Sequence, residues 1–152
     1  MDRLEPDAVA SDYERDFYVW TQQQAAALRG RDAAALDWDN LAEEIDALGR
    51  SERHAVDSHF RTLIEHLLKL AFSPAVYPRG DWMATAARVR DQLQDCLTAT
   101  LIRAARDNLA GNYLRARRVA ALALAQDGLT AADLPTECPW MFEQLLNPDF
   151  WP

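Results

Sequence analysis

The chain has 152 residues, 49% of them hydrophobic, and a net charge of −8, enough apolar material for one core of ordinary size. No apolar run approaches the roughly 18 residues a membrane helix needs, and the opening MDRLEPDAVASD is acidic rather than basic and then apolar, so the reading is a cytoplasmic protein with neither span nor secretory leader. The two cysteines, Cys96 and Cys138, form no CxxC pair and are expected to be free, buried thiols, in keeping with a reducing compartment.

Charge is unevenly spread. Residues 1–47 carry 12 acids and 4 bases, residues 48–118 carry 7 acids and 12 bases, and residues 119–152 carry 5 acids and no base. A basic middle between acidic ends reads first as solvated or mutually paired faces. A nucleic-acid binder shows a basic excess over the whole domain, so nucleic acid is disfavoured as a partner.

In chain order, residues 1–10 read as disordered and 11–152 as a single α-helical domain. Ser11 with Glu14 fits a capping box opening a helix from Asp12 or Tyr13 to Arg29, ended by Gly30. Tyr13, Phe17, Trp20 and Gln24 share one face, read as core. A short link predicts antiparallel packing against the next element. That element, Leu36 to Phe72, is the longest helix-compatible stretch, opened by Asp37 or Asp39 as N-cap and stopped by Ser73-Pro74. Its apolar column Ala42, Gly49, Val56, Leu63 and Leu70 runs through the glycine, which predicts one long helix, bent or tightly packed at Gly49.

Beyond the loop SPAVYPRG, Asp81 caps a helix carrying Trp82, Ala86, Val89, Leu93 and Cys96 inward and Arg88, Arg90, Asp91 and Asp95 outward. A break is expected in Leu97 to Thr100. One further helix then runs from Leu101 to about Leu124, ended by Gly128. Thr130 caps a single turn before Pro135, Pro139 suits the start of a short helix Trp140–Leu146, and the tail with Trp140, Phe142, Phe150 and Trp151 is too apolar to stay in water. No window alternates as a strand does. The fold class is therefore all-α: a bundle of about four principal helices, one long and central, with a short C-terminal helix and an aromatic tail.

Beside the apolar column of the long stretch lies Ile45, Glu52, His59, His66, polar where the face should be greasy. Glu52, His59 and His66 are the candidate inter-helix polar site. His59 and His66 lie about 10.5 Å apart along a helix axis and cannot share one metal ion, so a histidine bonded to a carboxylate or backbone carbonyl is expected. Arg50, Arg53, Arg61, Arg115, Arg117 and Arg118 form a candidate basic surface. No catalytic residue, metal site or cofactor is predicted. Phosphate-binding glycine loops are absent, no Glu-x-x-His step of the kind that builds di-metal bundles occurs, and Glu43, Glu44 and Asp46 read as a charged first turn.

The blocks YERDFYVWTQQQAAALR (Tyr13–Arg29), LDWDNLAEEIDALGRSER (Leu36–Arg53), HLLKL (His66–Leu70) and ECPWMFEQLLNPDFWP (Glu137–Pro152), in this order and spacing, resemble the bacterial "domain of unknown function 29" family from Tyr13 to Pro152. Leu70 departs from the tryptophan that the family shows after HLLK. The resemblance implies an all-helical fold and no established activity. Three functional readings stand: a non-enzymatic protein-binding or regulatory module, whose partner is another protein or a second copy; a metal-dependent bundle enzyme; and a nucleic-acid binder through the basic middle.

Overall fold

The computed structural model describes residues 12–152, so the readings of residues 1–10 and of the Ser11 cap lie outside the described part. The regular structure there is helical: α1 (Asp12–Arg15), α2 (Phe17–Gly30), α3 (Trp38–Phe72), α4 (Arg79–Cys96), α5 (Ala99–Asp107), α6 (Leu109–Leu124) and α7 (Phe142–Leu146), with 3₁₀ turns at Ala33–Ala35, Ala125–Asp127 and Ala131–Asp133. Among the described residues no strand occurs, and no helix is long and apolar enough to cross a membrane. The fold is all-α, as its hydrophobic periodicity requires. The contacts divide the chain into two compact units, Met1–Gly49 and Arg50–Pro152.

In the first unit the expected opening helix is broken. Asp16 leaves helical angles (φ −149°, ψ 84°) and its carboxylate accepts from the Val19 amide, so a new helix starts at Phe17. The break has a packing reason. Tyr13 and Trp20 would lie about 10.5 Å apart along a continuous helix, yet their ring centroids meet edge-on at 4.9 Å. Asp12, from the folded-back turn, accepts from Gln23 Nε2 at 3.0 Å. Trp20 and Gln24 are buried as expected and Ala27 is buried with them, whereas Phe17 remains exposed.

Asp37 caps α3: its Oδ1 accepts from the Asn40 amide and its Oδ2 from Asn40 Nδ2. Trp20 Nε1 donates to the same carboxylate at 3.1 Å, and the Asp37 amide donates to Gln24 Oε1 at 2.8 Å. Further along α3, Glu44 Oε1 accepts from the Tyr13 hydroxyl at 2.6 Å. The order of these bonds, 13 to 44 and 24 to 37, sets the predicted antiparallel sense. The three bonds to Asp37 hold its pKa below the usual carboxylate value.

Helix α3 runs unbroken for 35 residues. Gly49 is not a close-packing site: a Cβ there would meet nothing within 4 Å, and the glycine is exposed. The expectation of tight packing fails because the apolar column is buried only in the second unit. Val56, Leu63 and Leu70 are buried, and Ala42 and Leu48 are exposed.

The second unit is built on the α3 segment from Val56 to Leu70, whose Phe60, Leu63, Ile64, Leu67 and Leu68 join one core with Ala86, Val89 and Leu93 of α4, Tyr113, Ala116, Ala120 and Leu124 of α6, and Leu134, Trp140, Phe142 and Leu145. The break near Leu97 is made by Thr98, whose hydroxyl caps α5 by accepting from Leu101 N. The next helix, read as one piece, is pinched at Asn108 (φ −96°, ψ 9°), an intrinsically poor helix former that here ends α5 and opens α6. A Cβ on Gly111 would lie 2.7 Å from Asn108 Oδ1, so a larger residue here would turn the Asn108 side chain aside. Helix α7 starts at Phe142, two residues later than expected, because the Met141 amide is taken by Gln144 Oε1 at 2.8 Å.

The aromatic tail is part of the fold, and an arginine read as solvated holds it. Arg90 is buried; its Nε donates to the Leu145 carbonyl and its Nη2 to the Phe150 carbonyl, each at 2.9 Å, while its guanidinium lies 4.8 Å from the Trp151 ring centroid. Cys96 and Cys138 are both free, but Cys96 is exposed at the end of α4 rather than buried. Cys138 is half-buried, and burial pushes its thiol pKa up.

Three outcomes are expected. Arg31, the C-cap of α2, sits in the left-handed region (φ 54°), which costs a non-glycine residue about 1 to 2 kcal/mol. Arg31→Gly should therefore gain about 0.5 to 1 kcal/mol after glycine's larger loss of chain entropy, read as a higher urea midpoint; a lower midpoint refutes the cap reading. The bond to Glu44, and then desolvation, push the Tyr13 pKa up to about 12. A raised pKa stabilises the folded protein while the group is protonated, fully so below the unfolded value of about 10. The stability gap between wild type and Tyr13→Phe should thus stay constant to about pH 10 and close toward pH 12. Arg90→Met strands two carbonyls, at about 1 to 3 kcal/mol, and should expose residues after Leu146 to limited proteolysis.

Candidate functional site

On the basic part of α3, Arg50, Arg53 with His54, Asp57 and Arg61 follow one another at three- and four-residue steps, which places them along one stripe of the helix. Across from that stripe stand Asn108 at the α5–α6 joint and Arg115 on α6. Together they line a cleft of about 710 Å³. A second groove of about 510 Å³ continues from it, lined by Ser58, Thr62, Leu114 and Arg118 and sharing Arg61 and Arg115.

The cleft is held from beneath by a buried polar pair. Asn112 Nδ2 donates to Asp57 Oδ1 at 2.6 Å, both side chains being buried. Arg61 Nε donates to the Asp57 backbone carbonyl at 3.2 Å, so this arginine is anchored along its own helix. Arg50, Arg53, His54 and Arg115 are exposed. Asn112 Oδ1 is buried without a hydrogen-bond partner, which fits a residue fixed by one strong bond to a carboxylate.

The ion pairs formed among the described residues are Lys69–Glu65 and Arg106–Glu143. Neither involves an arginine of the cleft. Four guanidinium groups therefore converge with one carboxylate nearby, and that carboxylate already accepts from Asn112. Guanidinium groups keep their protons at neutral pH and present forked donors that match carboxylate and phosphate oxygens. The chemistry of the arrangement is oxyanion binding and orientation.

The predicted residues are distributed unevenly around this cleft. Arg50, Arg53, Arg61 and Arg115 line it, and Arg118 lines the adjoining groove. Arg117 does not belong to the surface. Its Nε donates to the Pro135 carbonyl at 2.7 Å and its Nη2 to the Leu134 carbonyl at 3.1 Å and to the Ala131 carbonyl, which pins the turn before Pro135. Tyr113 donates its hydroxyl to the same Pro135 carbonyl at 2.7 Å.

Glu52 is exposed and His59 half-buried; no hydrogen bond among the described residues joins them to each other or to His66. The His66 ring is tied within its own helix, Nδ1 donating to the Thr62 carbonyl at 2.8 Å, the backbone-carbonyl partner expected of such a histidine. Among the described residues no group of three or more His, Cys, Asp or Glu side chains is placed to hold a metal ion.

Sequence reasoning missed His54, Asp57, Asn108 and Asn112. The spacing of His54 and Asp57 relative to Arg50, Arg53 and Arg61 was the available signal for the first two. The other two depend on the α5–α6 joint, which hydrophobic periodicity hides.

No curated protein and no solved structure matches the chain. A family model does match, that of the domain of unknown function DUF29, over residues 13–151. The match spans both described units, and the chain belongs to the DUF29 family.

Proposed function

We propose that this protein is a non-enzymatic protein-binding module that takes an acidic segment of its partner into the arginine cleft. One observation carries the reading: Arg50, Arg53, Arg61 and Arg115 border a cleft of about 710 Å³ and make no ion pair with any described carboxylate. Uncompensated like charges in one place oppose folding, and an anionic ligand relieves them. The cleft volume falls in the range of roughly 300 to 1,000 Å³ found for ligand sites. His54 is the one aromatic ring in the cleft lining, with no Phe, Tyr or Trp beside it, so the cleft offers little of the stacking platform on which single-stranded nucleic acid is held. That favours an acidic peptide over the nucleic-acid reading. Arginine clusters recognise acidic and phosphorylated motifs in this way.

The test is fluorescence anisotropy with a glutamate-rich peptide, a lysine-rich control and a single-stranded oligonucleotide. The glutamate peptide should bind at low salt and weaken as salt rises past a Debye length of about 10 Å. Arg50→Glu with Arg53→Glu should abolish that binding. Asp57→Ala should tighten it by removing the one acid of the cleft, while lowering stability by about 1 to 3 kcal/mol because Asn112 loses its partner. Equal binding of the lysine peptide, or binding of the oligonucleotide alone, overturns the reading.

A further inference from the structure

Two of the exposed helix faces are complementary. In the first half of α3, Trp38, Ile45 and Leu48 are 61, 65 and 68% exposed. At 3.6 residues per turn they occupy one arc, and the adjoining arc holds Asp39, Glu43 and Asp46 at steps of four and three. All three acids are exposed. This face is apolar along one edge and acidic along the other.

The outer face of α6 has the opposite character. Its sequence LAGNYLRARRVAALAL contains no acid. Leu114 and Leu122 are 58 and 73% exposed, and exposed Arg115 and Arg118 lie between and beside them on the same arc. Beside this ridge runs a groove of about 390 Å³ whose lining includes Leu114, Ala121, Leu122, Ala125 and Leu129. Small alanines in its floor allow a second helix to approach closely and seat its own ridge.

We infer that the occupant of the α6 groove is the first half of α3 from a second copy of this chain, Trp38, Ile45 and Leu48 entering the apolar groove while Asp39, Glu43 and Asp46 face Arg115 and Arg118. This rests on the reading of the chain as a protein-binding module and adds a second contact surface, a groove that shares no lining residue with the arginine cleft. Charge complementarity selects the occupant. An amphipathic helix with an apolar edge fits a groove of this kind, and the acids on its other edge meet the two arginines that lack a described counter-charge. The apolar contact supplies attraction, and the charges set register and orientation. Because the two faces differ, the contact is heterologous and joins one copy's acidic face to another's basic face.

Sedimentation equilibrium of the whole chain at roughly 1 to 500 µM tests the inference. In low salt the weight-average mass should rise above that of the monomer with concentration, and the apparent association constant should fall by about tenfold or more in high salt. Glu43→Arg with Asp46→Arg makes both faces basic, and Arg115→Glu with Arg118→Glu makes both acidic. Each variant alone should be monomeric with an unchanged circular dichroism spectrum, and an equimolar mixture should associate again. Recovery on mixing cannot come from variants that have merely unfolded. A wild type that is monomeric throughout, undiminished association in either variant, or failure of the mixture to recover overturns the inference. Glutamate-peptide binding blocked by the Arg50/Arg53 substitutions, together with a monomeric wild type, refutes self-association alone. Association that persists while the peptide fails to bind refutes the acidic-cleft reading alone.

Discussion

The burial of one face of α3 from Val56 to Leu70 is the constraint on which the second unit depends. Leu63, Ile64, Leu67 and Leu68 are wholly inaccessible to solvent, and the buried hydrophobic residues of α4, α6 and α7 belong to the cluster that includes them. Each such side chain contributes about 1.5 to 3 kcal/mol by leaving water, and a helix cannot shed that face without losing all of them together. With the face fixed inward, the stripe carrying Arg50, Arg53, His54 and Arg61 has its direction fixed too. The cleft is a by-product of where the core lies.

Arginine is used here in two distinct ways. Arg90 and Arg117 serve backbone carbonyls at helix ends and turns, those of Leu145 and Phe150 and those of Ala131, Leu134 and Pro135. The planar fork reaches two acceptors at once, which a lysine cannot do with the same geometry. Of the arginines of the cleft and of the α6 ridge, Arg61 reaches the Asp57 carbonyl of its own helix, and Arg50, Arg53, Arg115 and Arg118 hold no backbone carbonyl among the described residues. A count of bases, fifteen arginines out of sixteen, does not distinguish the two roles, because the difference lies in which carbonyls happen to be nearby.

The helical architecture was legible because its signals are local: the Asp37 cap, the Ser73-Pro74 stop and the apolar phase of α3 all act within a few residues. The departures come from longer reach. The break at Asp16 follows from ring packing between Tyr13 and Trp20, and the burial of Arg90 follows from a tail some sixty residues later. Of the candidate basic surface, the α3 stripe could be read from spacing alone. That Arg115 faces it and Arg117 does not required the angle of α6 after the joint at Asn108. For Glu52, His59 and His66, shared helical phase indicated proximity to the core without specifying a partner.

The Arg90 latch also bears on how the chain reaches its folded state. The bond from Arg90 to Phe150 closes a sequence separation of 60 residues, whereas the bond from Trp20 to Asp37 closes 17. Loop-closure entropy grows with the logarithm of length, so the wider closure costs about 1 kcal/mol more. Local helices and the Trp20–Asp37 contact form early on this account, whereas the Arg90–Phe150 bond ranks with the Asn112–Asp57 bond between α6 and α3, which closes 55 residues. Capture of the tail and pairing of α6 with α3 therefore meet nearly the same entropic cost.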